Sequence, residues 1–174
     1  PEYVGVVTSI YRKYIDLALS ENEYKVDETD RKKIMQVFNR GGFSTGYING
    51  KLGKNMMFTK RPNHMGVYLG KVISFNPTRG YVKIKLEEEI NLGDSIRIEE
   101  SSCKISELMK NNNNIKSASI EEIVTIGRIK GKISVGDSVY KTVSLTLENQ
   151  IKQISSKENI KRKVFCKVDA EIGK

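Results

Sequence analysis

The hydrophobic period of the chain changes once, near Gly66, and that change divides it into a helical beginning and a β-rich remainder. Over residues 1–19, Val4, Val7, Ile10, Tyr11, Tyr14, Ile15 and Ala18 recur at three- and four-residue spacing, with Pro1 and Glu2 in the first turn. Such spacing predicts one amphipathic helix of about five turns, and proline and an acid both suit a helix start. A polar break over residues 20–26 leads to Asp27, an N-cap candidate, and to a shorter helix carrying Ile34, Met35, Val37 and Phe38. After Gly66, residues 67–75 and 81–86 flank the turn Asn76-Pro77-Thr78-Arg79-Gly80, a hairpin signal. Further strands are expected over residues 95–98, 103–108, 120–129 and 138–141, and short strands at this spacing predict a closed antiparallel barrel.

A weak internal echo supports the barrel. Ile90-Asn91-Leu92-Gly93-Asp94-Ser95-Ile96 and Ile133-Ser134-Val135-Gly136-Asp137-Ser138-Val139 lie 43 residues apart, each a strand end, a Gly-Asp turn and a departing strand. Leu145, Leu147, Ile151 and Ile154 predict a helix of two or three turns with Ser144 as its cap, and residues 161–172 read as a strand of a further element. The expected class is α+β, mostly β, in four parts. A helical lead-in (1–38) is followed by a basic glycine-rich loop (39–65), a small β-barrel (66–143), and a linking helix with the start of a strand (144–174). The chain opens directly on a helical pattern and closes on an apolar run, so we read it as a piece of a longer protein.

Charge is as unevenly placed as hydrophobicity. The 174 residues carry 30 Lys and Arg against 21 Asp and Glu, a formal charge of +9. Residues 31–86 contain no acid but 12 of the basic groups, so the remainder holds 18 basic and 21 acidic groups and is slightly negative. Seven of the 13 aromatics and eight of the 14 glycines fall in the same stretch. Basic segments interleaved with aromatics and glycines are what binders of single-stranded nucleic acid use, while a solvated strand face neutralised by acids elsewhere is the competing reading.

Within that stretch, Arg40-Gly41-Gly42-Phe43-Ser44-Thr45-Gly46-Tyr47 sets two adjacent glycine amides beside an arginine and two hydroxyls. That is an anion-nest arrangement or, equally, a tight turn leaving the second helix. Candidate RNA or anion contacts are therefore Arg40, Gly41, Gly42, Phe43, Ser44, Tyr47, Lys51, Lys54, Lys60, Arg61 and Lys71, with Phe43 and Tyr47 as stacking groups. His64, the only histidine, reads as a hydrogen-bonded loop residue. Cys103 and Cys166 are 63 positions apart, too sparse for a zinc finger or disulfide framework, and a reducing cytoplasm is expected. With no carboxylate near His64 in sequence, no catalytic or metal residue is assigned. No apolar run of about 18 residues occurs, so no membrane-spanning helix is expected.

Pro1-Glu2-Tyr3-Val4, Phe38-Asn39-Arg40-Gly41-Gly42-Phe43-Ser44-Thr45-Gly46-Tyr47 and Arg61-Pro62-Asn63-His64-Met65-Gly66-Val67-Tyr68-Leu69-Gly70-Lys71-Val72 resemble the collagenase-like peptidases of family U32, in the region after their catalytic barrel. The resemblance implies an N-terminal catalytic barrel outside this sequence, followed by small β-barrels similar to those of translation factors. Members are named as proteases of unassigned catalytic type, while several bacterial ones are implicated in hydroxylating transfer or ribosomal RNA with a cysteine-held iron–sulfur cluster. On that resemblance the cluster belongs to the missing part of the parent, and this fragment has no cofactor and no complete active site. The expected role is substrate recognition, with RNA as the partner. Two alternatives are an accessory domain of a genuine protease acting on a collagen-like polypeptide, and a structural domain docking on the parent's own catalytic barrel.

Overall fold

The computed structural model describes residues 2–20, 23–48, 50, 53, 58–59, 61–156 and 165–173, the side chains of 154–156 excepted. Helix α1 (Glu2–Leu19) and helix α2 (Glu28–Val37) come first. Asp27 caps α2 in extended conformation, its carboxylate accepting the Thr29 amide at 2.8 Å, which satisfies one of the free N–H groups of the first turn. Ten strands follow: β1 (Val67–Asn76), β2 (Tyr81–Leu86), β3 (Ile90–Asn91), β4 (Ser95–Ile98), β5 (Ser101–Lys104), β6 (Leu108–Lys110), β7 (Asn113–Asn114), β8 (Ser117–Ala118), β9 (Ile123–Ile126) and β10 (Ser138–Val143). Helix α3 (Leu145–Ser156) closes the described elements.

Eight strands form one antiparallel sheet in the order β5-β4-β10-β1-β2-β9-β6-β7, and β3 pairs with β8 in a separate ribbon. On β2 the alternation is clean: Val82, Ile84 and Leu86 are buried while Lys83 and Lys85 face out. Leu69, Val72, Ile96, Ile98, Val124, Ile126 and Val139 complete the same interior, so the sheet curls around one apolar core. The class is α+β, mostly β, as expected. The sheet is a half-barrel rather than a closed one, because β5 and β7 are edges with no ladder between them. Loop amides carry the chain past that gap, Leu92 donating to the Lys116 carbonyl and Gly93 to that of Ile105.

The internal echo is a repeat of hydrogen bonding. In Asn91–Asp94 the aspartate amide returns to the Asn91 carbonyl at 3.1 Å and its carboxylate accepts the Asn91 amide at 2.9 Å; Ser134–Asp137 makes the same two bonds at 3.2 and 2.8 Å. Gly93 and Gly136 have φ of 95° and 96°, the left-handed conformation that a turn of this kind gives to glycine. Each turn then grips one buried residue from both sides. Gly93 and Asp94 bond the backbone of Ile105, and Gly136 and Asp137 that of Val72.

The two copies differ in burial. Asp94 is fully buried, and its second carboxylate oxygen accepts the amide of Leu145 at 2.8 Å, the first residue of α3. Ser144 adds the expected cap, its hydroxyl accepting the Leu147 amide at 3.4 Å. So anchored, α3 returns over the chain and seats Ile151 against Val6 and Ile10 of α1, with Tyr14, Ile34, Val37 and Leu147 around them. The helical lead-in and the linking helix are thus one helical layer. On α1 the buried stripe is Val6 and Ile10, while Val4, Tyr11 and Ile15, expected on the inner face, are exposed.

Of the strand expected over residues 161–172 as part of a further element, residues 165–171 are unpaired among the described residues, and Phe165, Val168 and Ile172 are exposed; residues 161–164 lie outside the described residues. Among the described residues no helix is long and apolar enough to cross a membrane.

Asp30 ties the helical layer together electrostatically. It is buried on α2 and accepts from the Lys13 ammonium and the Tyr14 hydroxyl of α1. The Lys13 hydrogen bond holds its carboxyl below the ordinary aspartate range, against an opposing effect of burial. A carboxyl with a lowered folded-state pKa stabilises the fold above its unfolded value and loses that contribution as pH falls through the folded value. Urea unfolding is therefore expected to show stability declining below about pH 3.9, with a weaker acid dependence in Asp30→Asn. Asp94→Ala strips the acceptor from two amides and is expected to cost about 2–5 kcal/mol, whereas Asp137→Ala, losing one bond at an exposed turn, costs about 1 kcal/mol.

Candidate functional site

The loop after α2 is organised by Asn39, a buried residue that the charge argument passes over. Its side-chain amide donates to the carbonyls of Met35 at 2.8 Å and Gly66 at 3.0 Å, joining the end of α2 to the start of β1. Its side-chain oxygen accepts the amides of Gly41 at 3.1 Å and Gly42 at 3.3 Å. Those are the two amides of the anion-nest reading, and Asn39 already satisfies them. Gly41 has φ of 91° and lies under Phe58, whose ring a Cβ would strike.

His64 completes the hub. Its Nδ1 accepts the Asn39 amide at 2.9 Å and its Nε2 lies 3.1 Å from the Gln36 carbonyl, so these partners assign the proton to Nε2. Both ring nitrogens are occupied, which is a loop-fixing role. The ring stacks on Phe38 with centroids 5.7 Å apart, and the Arg40 guanidinium lies 5.6 Å from the centroid of the Phe38 ring. Tyr3 of α1 meets Phe38 edge-on at 6.2 Å. The result is a platform in which an exposed cation lies near an aromatic ring held by the histidine.

The predicted contacts fall in separate places. Arg40, Gly41 and Gly42 surround the Asn39 hub. Phe43 lines an apolar recess of about 290 Å³ with Ile10, Tyr11, Tyr14, Val26 and Ile34 between α1 and α2. Ser44 accepts the Gly46 amide at 3.3 Å, and Tyr47 is exposed in the following turn. Arg61 pairs with Glu100, and Lys71 is exposed on β1. Lys51, Lys54 and Lys60 lie outside the described residues.

Acids from outside the basic stretch reach back to it. Arg31 pairs with Glu28, Lys32 with Glu88, Lys33 with Asp30, Arg61 with Glu100 and Lys85 with Glu121. Among the described residues, Arg40, Lys71, Arg79 and Lys83 have no such partner. Three of these four share the β1–β2 hairpin: Lys71 stands opposite Lys85 in the ladder, Lys83 opposite Ser74, and Arg79 sits in the connecting turn with its amide on Asn76. Neither Arg79 nor Lys83 stands out within the basic run, although the Lys83/Lys85 alternation on a strand marks Lys83 as outward-facing.

Arg61 also meets a second arginine. Arg97 of β4 is buried, donates to the Glu99 carbonyl at 3.1 Å and the Met65 carbonyl at 3.0 Å, and lies 4.8 Å from the Tyr140 ring centroid. Burial, with Arg61 nearby, lowers its pKa from the ordinary arginine value. This cation fastens the loop at Met65 to the sheet. Burial likewise raises the pKa of the half-buried Cys103 thiol, the opposite of an activated nucleophile. An iron–sulfur cluster takes cysteine ligands that converge on it. Cys103 on β5 and Cys166 in the exposed terminal segment are a donor set that does not fit one, and no cluster of three metal-ligating side chains occurs among the described residues.

Comparison with known proteins covers parts of the chain. No curated protein matches it. Among solved structures, it is similar to the C-terminal domain of a Geobacillus thermoleovorans protein named as a U32 peptidase, at 17% identity and a TM-score of 0.40, over 43% of this chain and 91% of that one. The selenomethionine variant of that domain gives 16% identity and a TM-score of 0.39, over 42% and 98%. The family model described as peptidase family U32 matches residues 1–58, which hold α1, α2 and the start of the Asn39 loop. Residues 1–58 of the chain are thus similar to peptidase family U32, the family that its residues from Pro1 to Val72 resemble.

Proposed function

We propose that this chain is a non-catalytic substrate-recognition region of a U32-family protein and that it contacts RNA, in a parent that hydroxylates transfer or ribosomal RNA in the cytoplasm. The observation that carries the reading is what remains after ion pairing. Arg31, Lys32, Lys33, Arg61 and Lys85 are neutralised by neighbouring carboxylates, while Lys71, Arg79 and Lys83 stay unpaired on one hairpin and Arg40 stays unpaired beside Phe38. Unpaired exposed cations on a strand surface bind phosphates and release counterions. An arginine beside an exposed ring adds a surface on which an unstacked base can lie.

A second reading has its own support. Val4, Tyr11, Ile15 and Leu19 leave an exposed apolar row on α1, which favours docking of the helical layer on another domain such as the parent's catalytic barrel. A collagen-like polypeptide substrate has no comparable feature in its favour.

Fluorescence anisotropy with transfer RNA separates these readings. Affinity is expected to fall steeply as salt rises, and replacing Lys71, Arg79 and Lys83 together by Glu is expected to flatten the salt dependence by about 2 units of logarithmic slope. Arg61→Glu changes affinity much less, since Arg61 already faces Glu100. Equal affinity at low and high salt, or no binding at low salt, overturns the RNA reading.

A further inference from the structure

The hairpin that carries the unpaired cations also carries an apolar surface. On β2, Tyr81, Lys83 and Lys85 alternate with the buried Val82, Ile84 and Leu86, so these three share the outer face of the sheet. Across the ladder Lys85 has Lys71 on one side and Ile123 on the other, while Lys83 has Ser74 and Thr125. One residue of β1 is out of step. The register slips between Val72 and Ser74, so Ile73 is the extra residue of a β-bulge opposite Lys83. Ile73 is 41% exposed and Ile123 49%, whereas Ile84 and Ile126 of the same strands' inner face are fully buried. Bulges re-aim side chains, and this one sets an isoleucine in solvent among lysines.

Charge is graded along this face. Glu87 and Glu121 meet it at one end, beside Leu69 and Leu86, and Glu121 is paired with Lys85. Asp137, which precedes the Ser138 opposite Lys71, accepts the Ser134 amide. At the other end the β1–β2 turn packs on a second basic loop. The Ile129 amide donates to the Gly80 carbonyl at 2.9 Å, and a Cβ on Gly80 would lie 2.7 Å from the Ile129 carbonyl oxygen. Arg79 and Lys130, the neighbours of these two residues in sequence, therefore reach the turn from separate parts of the chain. Lys130 is exposed and has no ion pair among the described residues, while Arg128 faces Glu107 at 3.8 Å. The turn is thus the cationic end of the face.

Phosphate contacts alone leave the isoleucines without a use. An RNA duplex turns phosphates and ribose outward and keeps its base faces stacked inside, so seating one here would desolvate phosphate oxygens against Ile73 and Ile123. An unpaired strand exposes base faces that can cover apolar side chains and stack on a tyrosine, while its phosphates meet the cations between them.

We infer that the outer face of β1, β2 and β9 is a seat for single-stranded RNA. Arg79 and Lys130 hold phosphates at the turn, Lys83 and Lys71 continue the track, and Tyr81, Ile73 and Ile123 take the bases. This inference rests on the RNA reading and narrows it to segments whose bases are unpaired.

The test is fluorescence anisotropy of the full chain at low salt with a labelled RNA of about twelve nucleotides that has no internal pairing, alone and annealed to its complement. The single strand is expected to bind about tenfold tighter than the duplex. Tyr81→Ala, which removes one stacking surface, is expected to weaken the single strand about tenfold and to leave the duplex unchanged. Ile73→Ser, at an exposed position, provides a check that does not depend on the tyrosine variant folding, and is expected to weaken the single strand about threefold. Lys130→Gln is expected to weaken both forms and to reduce the salt slope by about 1. Equal affinity for the two forms, unaltered single-strand affinity in folded Tyr81→Ala and Ile73→Ser, or unaltered affinity in Lys130→Gln overturns this seat while RNA binding itself stands. Absence of binding to either form overturns both.

Discussion

One buried carboxylate joins the two halves of this molecule. Asp94 sits with no exposed surface at the end of a glycine turn and accepts two amides, one from its own turn and one from the first residue of α3. Its backbone meanwhile holds Ile105 beside the open edge of the sheet. An ionised carboxylate tolerates burial only when such hydrogen bonds replace its water, and the start of a helix supplies free N–H groups with a favourable dipole. The Leu145 side chain completes the seat, lying where a Cβ on Gly93 would be 2.7 Å from its Cδ2. Sheet geometry, helix position and the packing of Ile151 on α1 therefore follow in sequence from one aspartate.

Its twin shows how a repeat diverges. Asp137 keeps the intra-turn bonds and the grip on a buried partner, yet Gly136 has open space where Gly93 meets Leu145. The repeated unit is the turn with its gripped residue, and the capped helix belongs to one copy alone. Sequence similarity of the two heptads reflects the backbone task they share, not their surroundings.

The same distinction explains what could be read from residues alone. Period and turn chemistry are local, so the helices, the β1–β2 hairpin, the Asp27 and Ser144 caps and the Gly-Asp echo were legible. The exposed side of α1 was not, because its apolar residues exceed what one face can bury, and the choice of Val6 and Ile10 over Val4 and Tyr11 depends on where α3 returns. In the 165–171 run, likewise, alternating apolar residues form a strand only beside a partner edge, and none pairs with it among the described residues. Within the candidate site, glycines 41 and 42 were visible as a special backbone, but the identity of their acceptor was set by Asn39, whose side chain gives no periodic signal.

Charge followed this logic most closely. A segment of 56 residues without an acid looks like a uniform basic platform in one dimension. Folding selects among its cations, since Glu88, Glu100 and Glu121 come from beyond the segment and reach Lys32, Arg61 and Lys85. Exposed pairs of this kind contribute little to stability, on the order of 0–1 kcal/mol each, so their larger effect is to remove cations from the field that an anionic partner would meet. The field that remains belongs to residues whose neighbours are strands and rings instead of carboxylates: Lys71 and Lys83 on a β ladder, Arg79 in its turn, Arg40 beside Phe38. A long basic run is thereby resolved into a few positions, and the identity of those positions is a property of the fold rather than of the run.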